Sequence, residues 1–110
     1  MKKWAAGLLF LPAMASAEYM SGNMLYQRMT STESFERAMA LGYVLGVSDV
    51  GQNVTHCSGS QVTSGQTRDV VKQYLEQNPA FRDMSADVLV VAALGQAFPC
   101  AKNQRKGTRS

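Results

Sequence analysis

Apolar positions along this chain recur at helical spacing, and no stretch shows the strict alternation of a strand. The densest run is Ala86–Phe98, ADVLVVAALGQAF, which carries no charge after Asp87. A helix apolar on every side belongs in a core or a membrane, and this run is far short of the roughly 20 residues a bilayer needs. It therefore predicts a buried central helix, with Val88, Leu89, Val91, Ala92 and Leu94 in the core. Ser85 is positioned to cap it, Asp87 suits its first turn, and Pro99 ends it.

The segments before it read as further helices. Ser21 can cap a short one through Asn23, Met24, Leu25 and Tyr26. Thr30 and Glu33 have the spacing of a capping box for a second helix reaching about Val50. Phe35, Met39, Tyr43, Val47 and Val50 make its apolar stripe. Gly42 and Gly46 lie inside that helix, where each costs up to about 1 kcal/mol relative to alanine. Close approach of another helix would offset that cost. Thr63 and Gln66 form another capping box. The helix they open has Val70, Val71, Tyr74 and Leu75 on one face. Arg68, Asp69, Lys72 and Glu76 lie on the other, with Lys72 and Glu76 four apart. Asn78-Pro79 stops it. Gly51–Gln61 is a polar loop, and Pro79–Met84 a short connection. The pattern predicts an all-α fold: a small compact bundle of about four to five helices around a buried C-terminal helix.

Length and composition refine this. The chain has 110 residues, enough for one domain. Residues 1–17 have the form of a secretory signal peptide. Lys2 and Lys3 are its positive region, Trp4–Leu11 its apolar core and Ala15-Ser16-Ala17 its cleavage site. The mature chain then begins at Glu18, the helical domain spans 18–101, and 102–110 is a basic disordered tail. No other segment suits a membrane span. Without Lys2 and Lys3 the formal charge falls from +3 to +1. Four of the remaining cations, Lys102, Arg105, Lys106 and Arg109, lie in the tail. Residues 18–101 hold five cations against eight carboxylates. The folded body is acidic, which argues against nucleic-acid binding.

Cys57 and Cys100 are the only cysteines. An even count in an exported chain favours one disulfide over free thiols or an intermolecular bridge. Closing a loop of this length is worth about 4 kcal/mol in the chain-entropy picture.

Catalytic candidates are few. His56 is the single histidine, and neighbouring Ser58 and Ser60 lack a nucleophile-elbow context. Glu33 and Glu36 share a helix surface with Arg37. Gly42 and Gly46 do not follow a strand as a phosphate loop requires. No metal-ligand spacing and no cofactor motif is present. Met20, Met24, Met29 and Met39 cluster near the first two helices and read as packing residues. These observations favour a binding protein over an enzyme. Two loops can project into a partner: Asn78–Met84, with Phe81, Arg82 and Asp83, and Gly51–Gln61, with Gln52, Asn53 and His56.

Three motifs carry a resemblance. Gly22-Asn23-x-Leu25 is followed by Gly42-Tyr43-Val44-x-Gly46-Val47-x-Asp49. Cys57 precedes Val62-Thr63-x-x-Gln66-x-x-Asp69-Val70-Val71-x-x-Tyr74-Leu75 and Pro79. The chain closes on Leu89-Val90-x-x-Ala93-Leu94-x-x-Ala97-Phe98-Pro99-Cys100. This pattern resembles the Rap/Tai immunity proteins of type VI secretion. The chain departs from it in having Met29 and Ala40 where the family usually has cysteines, and Ser58-Gly59 where it has Ile-Pro. The resemblance implies that Cys57 and Cys100 are the family's remaining bridge. It implies a periplasmic, often dimeric protein that blocks the cleft of a peptidoglycan amidase effector with a surface loop. The alternative is a periplasmic stress chaperone or an envelope-assembly binding protein of similar fold.

Overall fold

The computed structural model describes residues 19–101; the expected signal peptide and basic tail lie outside them. Four helices follow in order: α1 Gly22–Met29, α2 Ser34–Gly51, α3 Ser64–Gln77 and α4 Ala86–Ala97. A single 3-10 turn, Pro79–Phe81, joins the last two. No strand occurs among the described residues, so the fold is all-α as the sequence predicts. Every helix packs on the other three, and none is long and apolar enough to cross a membrane.

The starts of α1 and α4 are joined through their backbones. Gly22 N–H donates to the Met84 carbonyl at 2.8 Å, Asn23 N–H to Arg82 at 2.7 Å, and Ala86 N–H to Met20 at 2.8 Å. Met24 N–H is capped by Ser21 Oγ at 3.1 Å. The first amides of a helix have no partner inside it, and here each chain end supplies the other's. Gly22 is needed at this junction. A Cβ there would strike the Leu89 side chain and lie 2.9 Å from the Arg82 carbonyl oxygen.

The core comprises Leu25, Met29, Ala40, Val44, Val71, Leu75, Ala86, Leu89, Val90, Ala93 and Leu94. On α4 it takes Leu89 and Leu94 as predicted, but the central helix is not buried all round. Val88 is 48% exposed, and Val91 and Ala92 are half-buried. Ser85 occupies the N-cap position, yet its hydroxyl binds the Asp87 carboxylate and not a helix amide. The opposite end is fixed by the Cys57–Cys100 disulfide and by Cys57 N–H donating to the Phe98 carbonyl at 2.8 Å.

α2 departs most from its sequence pattern. The buried residues are Ala40, Val44 and Gly51, with Tyr43 and Val47 packed partly against the core. Phe35, Met39 and Val50 are exposed, Phe35 at 69% and Val50 at 82%. The Thr30–Glu33 capping box does not form. Thr30 instead closes α1, its hydroxyl donating to the Tyr26 carbonyl at 2.9 Å, and Glu33 holds the N-cap position of α2. Nothing lies within 4 Å of a Cβ placed at Gly42 or Gly46, so no other helix among the described residues approaches there. On α3 the capping box is complete: Thr63 N–H donates to Gln66 Oε1 at 2.8 Å and Gln66 N–H to Thr63 Oγ1 at 3.1 Å. Glu76 accepts from Tyr26 Oη at 3.2 Å and makes no ion pair with Lys72.

The glycines give opposite predictions. Gly22→Ala should destabilise by about 1–3 kcal/mol, the usual range for overpacking. Gly42→Ala and Gly46→Ala should stabilise the monomer by up to about 1 kcal/mol each, because each meets open space in a helix interior. Denaturant melts of the three variants at low protein concentration check both signs.

Candidate functional site

The two sequence-selected loops sit at opposite ends of α4. The Asn78–Met84 loop leads into its first turn, and the Gly51–Gln61 loop is tied to its last through Cys57 and Phe98. They do not form one site.

The loop from Asn78 to Met84 is closed by its own hydrogen bonds. Asn78 Nδ2 donates to the Tyr74 carbonyl at 2.9 Å, holding the end of α3. Phe81 N–H donates to Asn78 O at 3.0 Å and Met84 N–H to Phe81 O at 2.9 Å. The Arg82 and Met84 carbonyls are occupied by α1. With its backbone so used, the loop presents Phe81 at 48% exposure and Met84 at 44%, beside exposed Asp83. Arg82 is half-buried. Its guanidinium lies 4.4 Å from the centroid of the Tyr26 ring, a cation–π stack, and its Nε is buried without a hydrogen-bond partner. The three residues differ in kind: Phe81 and Asp83 are surface groups, and Arg82 is a positioned cation.

The Gly51–Gln61 loop turns its polar groups inward. The Gly51 carbonyl accepts from Val54 N–H and Thr55 N–H, each at 2.8 Å. Asn53 has φ 67°, a left-handed conformation that asparagine tolerates. Its N–H donates to the His56 carbonyl at 2.7 Å. Gln52 is half-buried and engaged within the loop. Its Nε2 donates to the Ser58 carbonyl at 2.9 Å, and its Oε1 accepts from Ser58 Oγ at 2.9 Å. His56 is a correction to the surface reading, since only 1% of it is exposed. Its Nε2 lies 3.5 Å from Ser48 Oγ, at the limit of a hydrogen bond, with no third group orienting the pair. Of the three sequence candidates in this loop, Asn53 alone is exposed. What the sequence reading missed is apolar: Val50 and Val54 are exposed and, with Val47 and Val91, line a recess of about 380 Å³. A valine inside a Gly/Asn-rich turn is the signal that marks Val54.

Burial lowers the His56 pKa from its ordinary 6.5. Its folded pKa is then below its unfolded one, so the unfolded chain binds more protons between the two. The contribution of neutral His56 to stability is complete above about pH 6.5 and is lost as pH falls toward the folded pKa. Melting temperature should therefore decline below that point, and His56→Gln should flatten the decline in the same pH series.

No group of three or more His, Cys, Asp or Glu residues suited to a metal occurs among the described residues. A search of curated proteins finds no match to the chain. A family model described as Rap1a immunity proteins matches residues 21–100. That span runs from the Ser21 cap through the Cys57–Cys100 bridge and takes in all four helices and both loops, so the chain belongs to the family of Rap1a immunity proteins.

Proposed function

We propose that this is a periplasmic immunity protein that binds a peptidoglycan amidase delivered by type VI secretion and occludes its cleft without turnover. Family membership supports a protein partner. The observation that carries the contact is Phe81, half-exposed on a loop whose backbone bonds are already made. A projecting aromatic on a preordered loop loses little entropy on docking and suits a concave cleft. Asp83 is a secondary contact in this reading, Asn53 belongs to the alternative loop, and Arg82 is held on the Tyr26 ring.

The test is binding to purified peptidoglycan amidase effectors of type VI secretion. Phe81→Ala should weaken it about 30-fold, as loss of a hot spot of ~2 kcal/mol does. Its melting temperature should hold, because the side chain is half-exposed. Unchanged affinity for Phe81→Ala, or no amidase bound by the parent protein, would overturn the proposal.

A homodimer is part of the same reading. The exposed α2 stripe of Phe35, Met39 and Val50 flanks the open positions Gly42 and Gly46. Small residues between large apolar ones let two helices approach closely, and a second copy brings a matching stripe. Gly42→Arg should leave the monomer folded and abolish pairing in sedimentation velocity. A dimer that persists in Gly42→Arg would place the pairing surface elsewhere.

A further inference from the structure

Cations are scarce in the folded body, five among residues 18–101, and they are not spread evenly. Arg37, Arg68 and Lys72 line one recess of about 300 Å³ between α2 and α3, over an apolar floor of Met29, Ala38 and Leu41. Arg37 is held there by Nη1 donating to the Ser31 carbonyl at 2.9 Å. Arg68 Nε lies 3.0 Å from Asp69 Oδ1, and Lys72 makes no ion pair among the described residues. Three cations thus face one exposed carboxylate, in a body whose overall balance is acidic.

Beyond the recess, the same face of α1 and α3 carries Tyr26 and Glu76. Met29 and Lys72 share the recess, and Tyr26 meets Glu76 one turn away on each helix. α1 and α3 therefore run antiparallel along this face, and the stack of Arg82 on Tyr26 stands at its other end.

We propose that this groove receives a carboxylate-bearing segment of the protein partner, with an acidic side chain in the recess and an apolar neighbour on its floor. The proposal rests on the amidase-binding reading. Arginine forks match carboxylates in geometry, and the apolar floor suits a peptide side chain better than a free inorganic anion. Charge complementarity of this kind speeds association and makes it salt-dependent.

The experiment uses the full mature chain and a catalytically inactivated form of the amidase that it binds. Affinity is measured at about 50 mM and about 300 mM NaCl, on either side of the range where surface charges are screened. Arg68→Glu/Lys72→Glu should weaken binding at least about tenfold at low salt and remove most of the salt dependence. Arg68→Gln/Lys72→Gln, a milder change that keeps the fold safe, should give an intermediate loss. Phe81→Ala should weaken binding equally at both salts. If the charge variants bind with parental affinity and salt dependence, the groove proposal fails and the occlusion reading stands. If the parent binds no amidase, the occlusion reading fails, and the groove is decided by amide shifts on titration with hexaglutamate. Shifts around Arg37, Arg68 and Lys72 with hexaglutamate, and none with hexalysine, support an acidic-segment receptor. No shifts, or equal shifts with inorganic phosphate, overturn it.

Discussion

The bundle depends on one contact made of backbone. Two helices begin at the same place, and a helix start is a cluster of unpaired amides that cannot be buried alone. Here the Arg82 and Met84 carbonyls meet the α1 amides, and the Met20 carbonyl meets α4. Gly22 and Ala86 can then both be buried. This requires the chains to approach so closely that only glycine fits at position 22. The same bonds fix the loop that carries Phe81, so the joined helix starts and the projecting aromatic share one cause. At the far end of α4 the disulfide does comparable work across sequence, tying Cys57 to a residue 43 positions away.

What was legible in the sequence was what local chemistry decides. The Thr63–Gln66 box needs only two residues three apart, and both are used as expected. Ser21 caps α1 and Asn78-Pro79 ends α3 for equally local reasons. The burial of α2 was not legible. Phe35, Met39, Tyr43, Val47 and Val50 recur at helical spacing, but so do Ala40, Val44, Val47 and Gly51. Periodicity cannot choose between two such stripes, and residue size points to the wrong one. Packing selects the smaller set, which lets three other helices close on α2. Thr30 shows the same limit on a smaller scale. Its hydroxyl can cap forward or bond backward, and the end of α1 claims it.

The candidate loops divide along similar lines. Phe81 is half-exposed because a 3-10 turn after Asn78-Pro79 uses its backbone groups locally, a turn the sequence pattern gave only as a short connection. Gln52 and His56 were not legible, because a polar loop is naturally read as a wet one. This loop is anchored by Cys57 against α4, and its own carbonyls need partners. Gln52 turns inward to bind Ser58, His56 is buried against the end of α2, and the valines that look like core residues are left at the surface.

α2 ties these surfaces together. Residues advance about 100° per position around a helix, so the core set centred on Ala40 and Val44 occupies one side. Arg37, Ala38 and Leu41, which line the basic recess, fall on a second side. Phe35, Met39, Gly42, Gly46 and Val50 fall on a third. A neighbour covering the apolar side would leave the recess and the Phe81 loop open. The proposed pairing of copies and the proposed capture of an acidic segment thus draw on different sides of one 18-residue helix. The two mid-helix glycines, which no contact among the described residues explains, sit on the same side as Phe35, Met39 and Val50.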